Sequence, residues 1–341
     1  MKLIIQIPCY NEEETLPVTL GSLPRKLPGV DEIEWLIIDD GSTDNTVEVA
    51  REHGVDYIIS NPKNLGLAQG FSVGLQACIE RGADIIVNTD ADNQYCAECI
   101  PALINPILQK RADIVIGARP IDKISDFTST KKLLQKLGSW VVRQVSSTDI
   151  PDAPSGFRAF TRNAAKHLNV FSKHTYTLET IIQAGQKNIP IMWVPIETNP
   201  KLRSSRLIKS VKAYILSSTI TIVKIFVVYK PFKFFFTIGS VLFGAGSLIG
   251  LRFLFFYFIG QGQGKIQSLI LASILLGIGF QTIMVAFVAE LLGTNRSLLE
   301  EIQYRLRQSN SEHIEYFYAR DITNHDQEGK PDFTPNRRSA E

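Results

Sequence analysis

Asp90-Ala-Asp92 places two carboxylates with one residue between them, shortly after the apolar stretch Asp84-Ile-Ile-Val87. Such a pair can hold one hard divalent cation. Mg2+ or Mn2+ is typically bound by one or two carboxylates together with substrate phosphates, so a short acidic pair suits a metal–diphosphate complex better than an all-protein cage. Gln94 can add a carbonyl oxygen. The same tripeptide also serves as a turn or a helix cap. Asp39 and Asp40 follow a second apolar stretch, Trp35-Leu-Ile-Ile38, and can hydrogen-bond a base and a ribose as an acidic residue does in dinucleotide sites. Ser42-Thr43-Asp44 beside them is also a good helix start.

These residues need elements to position them. Leu3 to Ile7, Trp35 to Ile38, Tyr57 to Ile59, Asp84 to Val87 and Asp113 to Ile116 read as strands, and near-continuous apolar runs are what a parallel sheet covered on both faces requires. Glu12 to Leu20, Thr43 to His53, Leu67 to Arg81 and Cys99 to Lys110 read as helices between them. The pattern predicts a doubly wound α/β domain, in which ligands bind at the carboxyl ends of the strands. The polar segments Pro8 to Glu12, Asp39 to Asn45, Asn61 to Gly66 and Asp90 to Gln94 all follow strands. No Gly-x-Gly-x-x-Gly follows the first strand and no Walker loop is present, which argues against a dinucleotide dehydrogenase and a P-loop enzyme.

The averages over the 341 residues conceal a second region. Thirty-six Lys plus Arg against 34 Asp plus Glu leave a formal charge of +2, with 45% hydrophobic residues. That balance excludes a disordered chain and a protein dominated by polyanion binding, and no nucleic-acid partner is expected. Yet between Pro231 and Gly293 the only charges are Lys233, Arg252, Lys265 and Glu290. Phe232 to Phe258 and Ile266 to Leu292 are each long enough for a helix to cross a hydrocarbon core of about 30 Å. Gly260 to Lys265 allows only a turn, which predicts a helical hairpin. Between Lys201 and Lys233 there are eight basic residues and no acidic one, and Arg296, Arg305 and Arg307 follow the second run. The positive-inside tendency then predicts a cell-membrane protein with the N-terminal domain and both termini in the cytoplasm. No signal peptide is expected. Arg252 must snorkel or face another helix. Residues 206–230 suit helices lying at an anionic membrane surface. The tail 294–341 is expected to be cytoplasmic and largely disordered after about Ser309.

In order and spacing, Pro8-Cys-Tyr-Asn-Glu-Glu13, Asp39-Asp-Gly-Ser-Thr-Asp44, Asn64-Leu-Gly66 and Asp90-Ala-Asp-Asn-Gln94 resemble the signatures of the family-2 glycosyltransferases, which have the nucleotide-sugar-binding GT-A fold. Ser155-Gly-Phe-Arg158, Gly117-Ala-Arg119, Arg203-Ser-Ser-Arg-Leu207 and the two-helix anchor look like the branch that glycosylates polyprenyl phosphates. The resemblance implies a GT-A domain over residues 1–205. It implies that Pro8, Tyr10, Glu12, Asp39 and Asp40, with Asn64, Gly66, Asp90 and Ala91, bind the nucleotide sugar. Asp90, Asp92 and Gln94 would hold Mg2+ or Mn2+, and Arg119, Lys131 and Arg203 or Arg206 would receive the acceptor phosphate. Asp92, Arg119 and Asp152 are the implied catalytic set, with Asp152 as an orienting group, a weak base or a loop cap. The expected reaction is inverting transfer of a sugar, with UDP-glucose placed first and GDP-mannose as the alternative. Membrane lipids, a homo-oligomer, a flippase and a downstream glycosyltransferase are the expected partners. Cys96 stands where relatives often have proline.

Two rival readings follow from the same residues. A processive polysaccharide synthase shares the amino-terminal motifs but has a Gln-x-x-Arg-Trp signature, whereas Ile191-Met192 precedes Trp193 here. A non-catalytic nucleotide-sugar-binding scaffold would not need the acidic pair with a cationic acceptor set. Cys96-Ala-Glu-Cys99 is a lone C-x-x-C without a second pair or a nearby histidine, so neither zinc nor thioredoxin chemistry is indicated.

Overall fold

The computed structural model describes residues 1–120, 129–170, 176–200, 220, 223–224, 227–260 and 266–325. The first half alternates strands and helices: β1 (Lys2–Cys9), α1 (Leu16–Ser22), β2 (Glu32–Asp39), α2 (Thr46–Glu52), β3 (Tyr57–Ser60), α3 (Leu67–Glu80), β4 (Ile85–Asn88), α4 (Ile100–Leu108) and β5 (Ile114–Ala118). Then come α5 (Ser129–Ser146), β6 (Arg158–Thr161), α6 (Arg162–His167), α7 (Thr177–Gln186), β7 (Ile191–Pro195), α8 (Pro231–Phe258) and α9 (Ile266–His325).

The strands form one seven-stranded sheet in the order β3-β2-β1-β4-β6-β5-β7. Alternation along β1 separates two cores: Ile4 joins Leu36, Ile38 and Ile86 under α3, α5, α6 and α7, whereas Leu3, Ile5 and Ile7 join Trp35, Ile37 and Val87 under α1 and α4. Nearly all residues of β1, β2, β4 and β5 are therefore buried on one face or the other, which is why these runs read as continuously apolar.

Two strands add to the five expected from the sequence. β6 runs antiparallel to both β4 and β5. It was hidden because it opens on Arg158, a charge that is nevertheless fully buried. β7 pairs parallel with β5 at the sheet edge, and its apolar run Ile191-Met-Trp-Val194 is only partly covered there. Two helices start later than the sequence suggested. α1 begins at Leu16 because Glu12 to Thr15 form a turn that leads into Pro17, and α2 begins at Thr46 after Asp44 accepts from the Thr46 backbone N–H at 3.1 Å.

α8 and α9 pack antiparallel through glycines. A Cβ on Gly279 would fall 2.5 Å from the Phe243 nitrogen, and one on Gly246 would fall 2.9 Å from the Leu276 nitrogen. Such small residues let helix backbones approach closely. Both helices are long and apolar enough to cross a membrane, yet only 11% and 17% of their most apolar windows is buried within the chain. A core helix of a soluble domain would be mostly buried. Arg252 is exposed on α8 with its guanidinium 5.8 Å from the Phe256 ring, toward the hairpin tip. α9 continues past Leu292 and past Ser309, where a disordered tail was expected; from Thr294 to Gln327 the sequence has no Gly or Pro to end it. Most of the expected interfacial segment 206–230 lies outside the described residues.

Candidate functional site

The register of β1 on β2 sets Cys9 beside Asp39, so the loops that leave these two strands start side by side. Polar side chains then lace them together. Asn11, at φ 56°, donates its N–H to Ser42 Oγ (2.9 Å) and accepts from Thr43 N–H (2.8 Å). The Glu12 N–H donates to Thr46 Oγ1 at 2.8 Å, and the buried Glu12 carboxylate accepts from Thr15 Oγ1 at 2.6 Å. Asp39 accepts from Ser42 N–H at 3.0 Å.

Asp40 is placed differently from Asp39. Its Oδ1 accepts from Asn61 Nδ2 (3.0 Å) and Leu65 N–H (2.9 Å), and its Oδ2 from Gly66 N–H (2.8 Å). Both oxygens are therefore committed to shaping the 61–66 loop, and Asn64 is carried outward on that loop, exposed. Pro8 lies in β1, and Tyr10 just beyond the strand is 41% exposed, an open ring at the mouth of these loops.

The third component follows β4. Thr19 Oγ1 donates to the Ala91 carbonyl at 2.8 Å, Gln94 N–H donates to Asp92 Oδ1 at 3.1 Å, and Asn199 N–H donates to the Gln94 carbonyl at 2.9 Å. Ala91 is buried, so its contribution to a ligand would be made by its backbone. Asp90 keeps some open surface but is crowded by protein, and this desolvation, with Asp92 repulsion adding to it and Arg119 opposing, pushes its pKa up to about 7.

Opposite Asp90 lies the loop that enters β6. A Cβ on Gly156 would stand 2.9 Å from Tyr176 Oη and 3.2 Å from Asp90 Oδ1, so a side chain there would fill the space against the carboxylate. The loop is anchored from behind. Asn88 Nδ2 donates to the Gly156 carbonyl and to Tyr176 Oη, both at 2.9 Å, while Asn88 Oδ1 accepts from Gln6 at 2.8 Å. Tyr95 Oη accepts from Gly156 N–H at 2.9 Å. Arg158 donates to the carbonyls of Ser155, Ala153 and Thr177, each at 2.8 Å. Burial lowers its pKa to about 10, still protonated at neutral pH.

The same loop carries Asp152, fully buried, whose carboxylate grips Arg119 from two sides: Arg119 Nε donates to Oδ2 at 2.7 Å and Nη2 to Oδ1 at 3.0 Å. Burial alone would lower the Arg119 pKa, but Tyr95, Asp152 and Asp90 outweigh it and raise it further. This geometry fits an orienting group rather than a base, because both Asp152 oxygens are occupied. Lys131 lies in the first turn of α5, and Arg203 and Arg206 lie outside the described residues.

The donor set suits Mg2+ or Mn2+. Two adjacent carboxylates, one of them resisting ionisation, are relieved by a divalent cation whose remaining positions are taken by phosphate oxygens. Among the described residues no cluster of three or more His, Cys, Asp or Glu forms an all-protein cage. Asn88, Gly156, Arg158 and Tyr176 were not singled out by the sequence as separate contributors. Gly156 and Arg158 were carried only inside the Ser155-Gly-Phe-Arg158 motif, and Asn88 offered a signal of its own as a polar residue closing an apolar strand.

Comparison with known proteins decides the family. Residues 4–168 match the family model described as glycosyl transferase family 2. The undecaprenyl-phosphate mannosyltransferase of Micrococcus luteus is 30% identical over 176 residues, which span 50% of this chain and 70% of that protein. The chain belongs to glycosyltransferase family 2. Another relative of this glycosyltransferase is the UDP-N-acetylglucosamine–dolichyl-phosphate N-acetylglucosaminyltransferase of Methanococcus voltae, 29% identical over 214 residues, with 56% of this chain and 83% of the relative covered. The fold of the enzyme is similar to that of glucosyl-3-phosphoglycerate synthase from Mycobacterium tuberculosis, crystallised with Mn2+, UDP-glucose and phosphoglyceric acid, with a TM-score of 0.52 at 18% identity over 66% of this chain and 78% of that one. The catalytic half of this glycosyltransferase thus has the GT-A architecture.

Proposed function

We propose that this enzyme transfers a hexosyl group from a nucleoside diphosphate sugar to the phosphate of a membrane-embedded polyprenyl phosphate. The observation that carries the reading is Arg119, held by the buried Asp152 within electrostatic reach of Asp90, in a chain that also has two membrane-length apolar helices. The relatives named for undecaprenyl- and dolichyl-phosphate transfer support the lipid acceptor.

The phosphate monoester, with a second pKa of about 6, is already a nucleophile at neutral pH. One of its oxygens forms a bond to the anomeric carbon as the bond from that carbon to the diphosphate oxygen breaks, and the electron pair leaves with the nucleoside diphosphate. A single displacement of this kind inverts the anomeric centre and needs no strong general base. Arg119 clamps the acceptor phosphate, using the terminal nitrogen Nη1 that lies outside its pair with Asp152, and Asp152 fixes the guanidinium plane. Asp39 and the Asn11–Ser42 lacing hold the base and ribose, with Tyr10 beside them. Asp90, Asp92 and Gln94 would hold Mg2+ or Mn2+, which neutralises charge developing on the leaving diphosphate. Lys131 and Arg203 or Arg206 remain proposed supplements to the phosphate clamp.

The hairpin α8–α9 crosses the bilayer in this reading, with the catalytic domain on the cytoplasmic side. For the sugar, the relatives named for mannose transfer support a mannosyl donor ahead of UDP-glucose. A homo-oligomer, a flippase and a downstream glycosyltransferase belong to the same proposal, since two helices in one chain form no conduit for the product. Membranes containing the enzyme, supplied with Mn2+ or Mg2+, polyprenyl phosphate and a panel of UDP- and GDP-sugars, should yield a lipid-linked sugar with one donor. Absence of lipid-linked product with every donor would reject the proposal.

A further inference from the structure

α5 carries an exposed surface that the carboxylate and Arg119 site does not account for. One side of the helix is packed into the domain: Ser139, Val141, Val142, Val145 and Ser146 are buried, and α7 lies against them. On the other side Leu133, Leu137 and Trp140 stand in a row at positions i, i+4 and i+7, and they are 67%, 45% and 50% exposed. Three large apolar side chains on one stripe make a face that water does not favour.

Within α5 itself the charges have one sign. α5 contains Lys131, Lys132, Lys136 and Arg143 and no acidic residue. Of these, Arg143 reaches Asp149 at 3.5 Å, a loose pair with a nearly fully exposed carboxylate. A basic helix with an apolar face that includes tryptophan is suited to the boundary between headgroups and acyl chains.

Its position agrees. The Gln144 carbonyl at the end of α5 accepts from Lys230 Nζ at 3.2 Å, and the next residue, Pro231, opens α8. Gln186 at the end of α7 donates to the Tyr229 carbonyl at 3.3 Å. The C-terminal end of α5 therefore sits where the chain enters the first membrane-length helix.

We propose that α5 lies on the surface of an anionic bilayer, with Leu133, Leu137 and Trp140 among the acyl chains near the interface and its basic residues among the headgroups. The proposal rests on the reading that α8 and α9 span the membrane. It gives α5 a second consequence, because a helix held at headgroup depth carries Lys131 to the level at which a lipid-borne phosphate arrives.

The test uses the full chain in nanodiscs containing phosphatidylglycerol and a nitroxide-bearing lipid, in a Cys96→Ser/Cys99→Ser background. A fluorophore is attached in turn at Leu137→Cys on α5, Leu248→Cys on α8 and Asn105→Cys on α4, the helix on the opposite face of the sheet. Quenching is expected at 137 and 248 but not at 105, and at 137 it should weaken in discs of neutral lipid. If 248 is quenched and 137 behaves like 105, α5 stays in water; the proposal fails while the membrane hairpin stands. If 248 is also unquenched, the membrane reading itself fails and takes the proposal with it. If 137 is unquenched and the unlabelled Leu137→Cys protein is joined between copies by a bis-maleimide, the face belongs to a second copy and the proposal is overturned. A second arm uses the Leu133→Ser/Leu137→Ser/Trp140→Ser variant. It should raise KM for vesicle-embedded polyprenyl phosphate several-fold while the donor KM is unchanged, and an unaltered acceptor KM would contradict the proposal.

Discussion

Asp152 and Arg119 form a bidentate pair in which the carboxylate is fully buried and the arginine is almost so. Removing one partner of a buried pair leaves an uncompensated charge and typically costs about 3–5 kcal/mol. Asp152→Asn keeps the shape and one acceptor oxygen, so it should fold with a smaller loss and release the guanidinium from its fixed plane. In the proposed mechanism that release raises KM for the acceptor by about 10-fold or more, since a bidentate charged contact contributes about 1.5–3 kcal/mol. Donor binding, measured by calorimetry with the nucleotide sugar, should be nearly unchanged. Equal losses on donor and acceptor sides would show that the pair only supports the loop.

The elevated Asp90 pKa makes two pH-dependent outcomes expected. The folded carboxyl holds its proton more tightly than the unfolded one, so its contribution to stability in metal-free protein is fully present below the ordinary carboxyl value of 3.8. It is lost as pH rises toward about 7. Chemical denaturation at pH 5 and pH 8 should show this decline, and Asp90→Asn should flatten it. Metal must also displace that proton. Apparent Mn2+ affinity should therefore fall up to about tenfold for each pH unit below 7, by mass action on one proton. A Mn2+ titration that is flat from pH 5.5 to 8 would remove Asp90 from the metal site.

How much of this could be read in the residue order varies with the physics. The parallel strands β1, β2 and β4 were legible because both faces of each are buried, which forces runs such as Leu3-Ile-Ile-Gln-Ile7. β6 was not, because Arg158 satisfies its charge by donating to backbone carbonyls that are distant in sequence, among them Thr177. The carboxylates Asp39, Asp90 and Asp92 were found from their places after strands. The distinction between Asp39 and Asp40 was not, since it depends on which oxygens the 61–66 loop occupies. Gly156 likewise acquires its meaning only from the approach of Asp90 and Tyr176, which come from other parts of the chain. The length of α9 was hidden by polar composition, although uninterrupted helix formers could have signalled it.

Gly156→Ala tests that approach. The added methyl would lie 2.9 Å from Tyr176 Oη and 3.2 Å from Asp90 Oδ1. Tyr176 cannot retreat easily, since its ring stacks on Phe71 with centroids 3.9 Å apart. Asp90 or the loop must therefore shift. Overpacking of this kind typically costs about 1–3 kcal/mol. The variant should melt several degrees lower and need more Mn2+ for half-maximal activity. A variant with wild-type metal dependence would mean that Asp90 tolerates displacement.

Beyond the hairpin, α9 returns to the catalytic domain. Glu300 is buried between Lys187, just after α7, at 3.1 Å and Arg296 at 3.1 Å, and Arg296 donates to Tyr229 Oη at 3.1 Å just before α8 begins. One turn further, Tyr304 stacks on His167 of α6 with ring centroids 3.8 Å apart. Residues 296–304, ahead of the stretch expected to be disordered, thus brace the apolar helix pair against the domain. Glu300→Ala leaves two cations facing each other without their shared carboxylate, while both remain about a quarter exposed. The cost should accordingly be about 1–3 kcal/mol, below that of a fully buried pair. Limited proteolysis in detergent should cut the variant near Arg305 faster than the wild type, while nucleotide-sugar binding to the catalytic domain is retained. If cleavage is unchanged, the ion cluster does not hold α9 against the domain. Hydrogen exchange in α6 would then show whether the Tyr304–His167 stack maintains the contact.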